Sequence, residues 1–184
     1  MFAAKYLTQA GAKMIATSDS KGCVYNKNGL DFETLEKIKE KGGSVIDYKP
    51  GTILPNKDII KVDVDILIPA AVPNLIIASD VNNINAKLIV EGSNIPMTID
   101  VEELLHRKDI LVIPDFVANA GGVISSYVEY TGGTPKEMFK MVEQKIRANV
   151  TNILRESSSQ KSPRDVAMDI AKKRVRAKCK TCRI

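Results

Sequence analysis

The sequence predicts an α/β fold built on a parallel sheet, and three observations carry that expectation. Short apolar, β-rich runs alternate along the 184 residues with amphipathic helical stretches. The runs at 65–69, 87–90 and 110–113 are apolar nearly throughout rather than alternating, the pattern of a sheet covered by helices on both faces. Small or polar residues follow the runs, where an open parallel sheet receives its ligands.

Each element follows from local chemistry. Residues 2–10 read as a helix stopped by Gly11, and 13–18 as a strand ending at Asp19. Residues 22–29 read as a loop containing Gly and Asn. Asp31 is placed to cap a helix that carries Phe32, Leu35 and Ile38 on one face and stops at Gly42-Gly43. Residues 44–47 read as a short strand and 57–62 as a small helical turn. Pro69 must end the strand over 65–69, because proline cannot donate to a ladder. After the strand at 87–90, Thr98 caps a helix with Val101, Leu104 and Leu105 on one side. Asp100, Glu102 and Glu103 then lie favourably near its positive end. Beyond the strand at 110–113, three helices close the chain. One starts near Asn119. The next, over 135–156, sets Met138, Val142, Ile146, Val150 and Ile153 on one stripe. The last is announced by Ser162-Pro163 and carries Val166, Ile170 and Val175.

Composition narrows the function classes. No apolar run approaches the roughly 18 residues of a membrane span, and the mixed opening Met1-Phe2-Ala3-Ala4-Lys5-Tyr6 does not read as a leader. A cytoplasmic protein with no membrane partner is expected. The net charge of +5 belongs to the end of the chain. Lys172, Lys173, Arg174, Arg176, Lys178, Lys180 and Arg183 lie there without an acidic neighbour, and the remainder is slightly negative. A solvated helix end explains this, and no nucleic-acid partner is expected. Three cysteines make no disulfide framework in such a chain. Cys179 and Cys182 form a C-x-x-C whose only further candidate metal ligands are the distant Cys23 and His106, so no metal site is assigned and terminal thiols are expected. His106 reads as a solvated helix end.

Candidate ligand contacts fall at four strand ends: Asp19, then Ala70-Ala71 with Asn74, then Glu91-Gly92-Ser93-Asn94, and Asp115 to Asn119. Small residues admit a ligand to the backbone, and side-chain amides both donate and accept. Each also has a plainer role. Asp19 before Ser-Lys-Gly is good turn chemistry, Asn119 suits a helix N-cap, Gly121-Gly122 suits close packing, and Ser125 or Ser126 can bond back to its own helix.

Ala12 through Gly22, Asp65-Ile66-Leu67-Ile68-Pro69-Ala70-Ala71, Glu91-Gly92-Ser93-Asn94-Ile95-Pro96-Met97-Thr98 and Pro114 through Tyr130 follow one another in a recognisable order. From residue 3 to about 176 the chain resembles the C-terminal, dinucleotide-binding domain of the glutamate dehydrogenases. The resemblance implies a Rossmann-like sheet, with a dinucleotide-binding region over 1–134, C-terminal helices over 135–178 packing on it, and a basic tail over 179–184. It implies NAD or NADP as cofactor, with Asp19 at the adenosine ribose, Ala70, Ala71 and Asn74 along the nicotinamide side, and Asn94 and Asn119 on the nicotinamide ribose and carboxamide. Ser126 matches the hydroxyl that reaches the substrate's side-chain carboxylate. The family reaction is L-glutamate with NAD(P)⁺ and water giving 2-oxoglutarate, ammonia and NAD(P)H.

Two departures qualify that likeness. No glycine precedes Gly11, so the family's first strand and its Gly-x-Gly-x-x-Gly pyrophosphate turn have no counterpart. The sheet is therefore expected to be incomplete, with the strands at 13–18 and 65–69 either pairing directly or presenting an open edge. The family's catalytic lysine and aspartate also have no counterpart, so no catalytic residue is assigned. The expectation is a truncated glutamate dehydrogenase, inactive alone. Two alternatives stay open: a non-catalytic module that binds nucleotide or docks on full-length subunits, and a piece of a leucine, valine or phenylalanine dehydrogenase. Ser126-Tyr127 and Glu129-Tyr130 favour the glutamate type.

Overall fold

Ser20 and Lys21 turn the chain back on itself, and this hairpin organises the first of two units. The computed structural model describes residues 2–179 and 181. One unit holds the chain up to Val64 with Asn83–Asn85; the other holds Asp65–Asn82 and the chain from Ala86 onward.

In the first unit, helix α1 (Phe2–Gln9) ends before Gly11, whose φ of +91° suits only glycine comfortably. Strands β1 (Ala16–Asp19), β2 (Gly22–Tyr25) and β3 (Thr52–Leu54) form an antiparallel sheet in the order β1-β2-β3. This corrects two expectations. The β1 strand lies in an antiparallel sheet, and the expected loop at 22–29 begins as that sheet's central strand. Asp19 pairs across from Gly22, and Gly22, Cys23 and Val24 are buried. A Cβ on Gly22 would stand 2.7 Å from Ile46, so the middle of the sheet needs glycine there. Helix α2 (Phe32–Glu40) has the expected cap, with Thr34 N–H donating to Asp31 across 2.7 Å.

Residues 44–47 are not a strand. Val45–Asp47 is a 3₁₀ turn closed by a capping box in which Ser44 N–H donates to Asp47. A second 3₁₀ turn covers Asn56–Lys61. Val24, Leu30, Leu35, Val45 and Tyr48 form the core of this unit, and the Tyr48 hydroxyl accepts the Asp31 N–H.

The second unit carries the parallel sheet. Strands β4 (Ile66–Leu67), β5 (Leu88–Val90) and β6 (Leu111–Ile113) lie in the order β4-β5-β6, and α3 (Ile99–His106) links β5 to β6. Among the described residues β1 and β4 each stand at the end of the strand order of their own sheet. After β6 come α4 (Asp115–Ala118), α5 (Gly121–Tyr130), α6 (Pro135–Glu156) and α7 (Pro163–Lys178). Both α6 and α7 open with proline in the first turn and a capping box, Thr134 with Glu137 and Ser162 with Asp165. Ile113, Val117, Ile153, Val166 and Ala167 make the core that joins β6 to these helices. Along the expected α6 stripe only Ile153 is fully buried, while Met138, Val142, Ile146 and Val150 are half-buried.

Several local expectations change here. Thr98 occupies the N-cap of α3 without a side-chain bond to it. Glu102 lies in the first turn of α3 as expected, and it is buried. Asn119 closes α4 instead of starting a helix, because α5 begins at Gly121 behind Ala120. His106 is half-buried, with Nε2 enclosed and unpartnered. Lys172, Lys173, Arg174, Arg176 and Lys178 line the exposed end of α7. Cys179 is held in a disulfide rather than standing as a free thiol, and Cys182, Lys180 and Arg183 lie outside the described residues. Among the described residues no helix is long and apolar enough to cross a membrane.

Candidate functional site

The parallel sheet sends three loops from its carboxyl ends, and hydrogen bonds between those loops fix their relative positions. Gly92 and Ser93, after β5, both donate backbone N–H to Pro69 O after β4, at 3.0 Å each. A Cβ on Gly92 would lie 3.0 Å from the Ala70 Cβ, so a side chain there would press the two strand ends apart by a few tenths of an ångström. Asn74, exposed and at φ +52°, donates its N–H to Ile95 O across 2.9 Å, a conformation asparagine tolerates better than most residues. Ala70 and Ala71 are exposed beside it.

The loops after β5 and β6 meet at a pair of side-chain amides. Asn119 Nδ2 donates to Asn94 Oδ1 across 2.7 Å. That bond uses one donor of Asn119 and one acceptor of Asn94, which leaves the Asn94 amino group and the Asn119 carbonyl to engage a further partner. Asn94 is exposed and Asn119 half-buried. The pair therefore offers a donor and an acceptor side by side, the complement of a carboxamide or a ribose diol.

Next to the pair lies a charged cluster that sequence reasoning missed. Arg164, in the first turn of α7, donates Nε to both Glu102 oxygens at 2.7 Å, and Nη2 to Glu91 at 3.1 Å and Asp115 at 3.0 Å. Its guanidinium carbon lies 5.4 Å from the centre of the Phe116 ring. Glu91 Oε2 also accepts the Asp115 N–H at 2.7 Å, and Asp115 Oδ2 accepts the Ile95 N–H at 2.9 Å. Glu91 is fully buried and its other oxygen has no partner. Burial, and then the Glu102 charge, push its carboxyl up to about 7 against the pull of the Asp115 N–H and Arg164. Burial likewise raises Glu102 although Arg164 opposes it. At Asp115 burial is outweighed by the Ile95 N–H and Arg164, and its carboxyl sits low. Glu91 and Asp115 are legible as strand-end residues. Arg164 has no local signal, since it lies 62 positions from Glu102.

The other candidates are placed as follows. Ser126 is exposed on α5 and donates to Gly122 O at 3.1 Å, as Ser125 does at 2.8 Å, so both hydroxyls bond back to their helix. Asp19 belongs to the first unit, at the end of β1. Its carboxylate accepts from Lys21 N–H at 2.9 Å, Ser44 Oγ at 2.9 Å, Val45 N–H at 3.0 Å and Lys39 Nζ at 2.9 Å. Burial alone would raise its pKa; the Lys39 ammonium and the three hydrogen bonds outweigh that and hold it well below the usual carboxylate range. Asp19 thus caps a turn in this structure.

Known proteins resemble this chain in sequence and in fold. The chain is 40% identical over 185 residues to a glutamate dehydrogenase of Aeropyrum pernix, covering 95% of this chain and 44% of that protein. It is 40% identical over 184 residues to an NADP-specific glutamate dehydrogenase of Saccharolobus shibatae, covering 95% of this chain and 43% of that one. In fold it is similar to the hetero-hexameric glutamate dehydrogenase of Thermus thermophilus, with a TM-score of 0.83 at 21% identity over 98% of this chain and 44% of that one. The chain thus spans less than half the length of these relatives. The family model for Glutamate/Leucine/Phenylalanine/Valine dehydrogenase matches residues 1–181, and the chain belongs to that family.

Proposed function

We propose that this chain supplies the nicotinamide side of the dinucleotide site of a glutamate dehydrogenase, and that the 184-residue polypeptide by itself binds NAD(H) or NADP(H) without oxidising glutamate. The observation that carries the proposal is the Asn94–Asn119 pair, held at the ends of two adjacent parallel strands with one donor and one acceptor available. Open parallel sheets bind nucleotides in that position. The close approach of Gly92 to Ala70 and the small exposed Ala70 and Ala71 support a ligand lying along the backbone.

In this reading Asn94 and Asn119 take the nicotinamide ribose and carboxamide, and Asn74 lines the same side. Ser126 takes the side-chain carboxylate of glutamate or 2-oxoglutarate by turning its O–H from Gly122 O to the carboxylate. The bound nicotinamide supplies the acceptor for the hydride that leaves the amino acid's Cα. Asp19 takes the adenosine ribose. Its partner Lys39 offsets the repulsion a 2′-phosphate would meet, which supports the use of either cofactor.

The chain contains no Gly-x-Gly-x-x-Gly turn, so binding by this polypeptide is expected to be weak. Titration with NADH, followed by the side-chain amide NMR signals of Asn94 and Asn119, tests the proposal. Saturable shifts of those two signals are expected, with no glutamate-dependent NADH formation. Unmoved amide signals at millimolar NADH would overturn it.

A further inference from the structure

We propose that Arg164 is a positioning residue for the Asn94–Asn119 pair: from the first turn of α7 it holds the ends of β5 and β6 in one arrangement, so that both amides face the same ligand. Its functional meaning rests on the reading of that pair given above.

The argument follows the bonds. Arg164 Nη2 reaches Glu91 at the end of β5 and Asp115 just after β6, at 3.1 and 3.0 Å. Asp115 then ties the two loops to each other, giving its N–H to Glu91 and taking the N–H of Ile95, the neighbour of Asn94. Four residues beyond Asp115 stands Asn119. The β5–β6 ladder and the Glu91 N–H bond to Ile113 O fix the strands themselves; beyond them, apart from the amide–amide bond, the bonds between the two loops run through carboxylates that Arg164 neutralises. Glu102 grips Nε with both oxygens and so aims the guanidinium plane.

Charge makes the arginine necessary. Glu91, Glu102 and Asp115 converge on this one cation, and Asp165 adds a further negative charge toward Glu102. Without Arg164 the carboxylates repel one another in a poorly hydrated place, and the strand ends that carry two of them move apart. Lysine would restore the charge but not the planar fork that serves three carboxylates at once.

The test uses the 184-residue chain with Arg164→Lys, Arg164→Gln and Glu102→Gln, read by backbone hydrogen exchange and by NADH affinity. In Arg164→Lys, exchange at the Ile95 and Asp115 amides should quicken about tenfold or more, the loss expected for one charge-assisted hydrogen bond. The Val166 and Ala167 amides of α7 should be unchanged, and NADH affinity should fall by a similar factor. Glu102→Gln keeps the arginine and should move the same signals less. If Arg164→Gln does not fold, the other two variants decide. Unchanged exchange at Ile95 and Asp115 would overturn the proposal. So would equal acceleration along α7, which would make Arg164 only the attachment of that helix. Local acceleration with unchanged NADH affinity, while Asn94→Ala and Asn119→Ala weaken binding, would also overturn it. If those two alanine variants leave NADH binding unchanged, the cofactor reading of the pair fails, and the exchange measurements still decide whether Arg164 positions it.

Discussion

Asn119 donates to Asn94 across 2.7 Å although 25 positions separate them. The contact exists because β5 and β6 are adjacent and parallel, in register from Leu88 opposite Leu111 to Val90 opposite Ile113. Each strand then delivers its following loop to the same side of the sheet. Two short polar side chains that would otherwise be solvated become one composite group.

Replacing Asn119 by alanine should therefore harm binding more than folding. Asn119 is half-buried and its partner Asn94 is exposed, so little is left unsatisfied when the amide goes. Stability should fall by no more than about 1 kcal/mol, the net worth of an ordinary hydrogen bond. Affinity for NADH should fall about tenfold, because the contact with the ligand and the orientation of Asn94 are lost together. Calorimetric titration beside a denaturant melt separates the two effects.

Glu91 makes stability depend on pH. Its carboxyl titrates near 7 in the folded chain against an ordinary value of 4.5. The native state thus holds a proton that the unfolded state releases earlier, and stability is lost as pH rises. The contribution is fully present below about 4.5 and gone above about 7, a decline of a few kcal/mol. Urea melts at pH 5 and pH 8 should show the drop. Glu91→Gln, which mimics the protonated form, should flatten the profile and stabilise the chain at pH 8. A profile that is level in the parent chain would contradict this account.

Much of the fold was legible where local chemistry decides it. The helix over 135–156, the Ser162 cap, the Asp31 cap and the strands at 65–69, 87–90 and 110–113 each carry their signal within a few residues. The errors occur where a local signal was misread or was absent. Ser44-x-x-Asp47 is a capping-box spacing, yet the apolar Val45-Ile46 between them resembled a strand. Gly22 through Tyr25 looked like a loop because glycine opens it, whereas burial against Ile46 is what selects that glycine. The strand-end residues of the candidate site were visible from their positions. Arg164 was not, since its three carboxylate partners become neighbours only when α7 docks on the sheet.

Gly92 is a packing test of the site. In Gly92→Ala the new methyl meets Ala70 Cβ at 3.0 Å and Ile68 at 3.4 Å, so the ends of β4 and β5 must separate by a few tenths of an ångström. A cost of about 1 kcal/mol or more is expected for such overpacking, together with weaker NADH binding. Adding Ala70→Gly removes the atom in the way. The double variant should recover part of both losses, and the coupling read from a double-mutant cycle should be favourable. Strict additivity would mean that the two residues do not constrain each other.

Asp19 separates the two roles open to a strand-end carboxylate. All its acceptor positions are engaged by Lys21, Ser44, Val45 and Lys39, so a ribose must compete with bonds already made. Those bonds join the β1–β2 turn to the 3₁₀ turn at Val45–Asp47 within the first unit, and the lowered pKa of Asp19 records their strength. This stabilisation is present above the ordinary aspartate value of 3.8 and is lost as pH falls below it. Asp19→Ala should accordingly destabilise the chain at pH 7 by about 2 kcal/mol, the scale of losing a charged cap, with a smaller penalty near pH 2. If Asp19 serves only this turn, its removal leaves NADH affinity unchanged under conditions where the variant stays folded. If it also holds the ribose, affinity falls in the folded variant as well. NADH titration alongside melts at pH 7 and pH 3 distinguishes these outcomes, because a ribose contact cannot be lost through stability alone when the protein is still native.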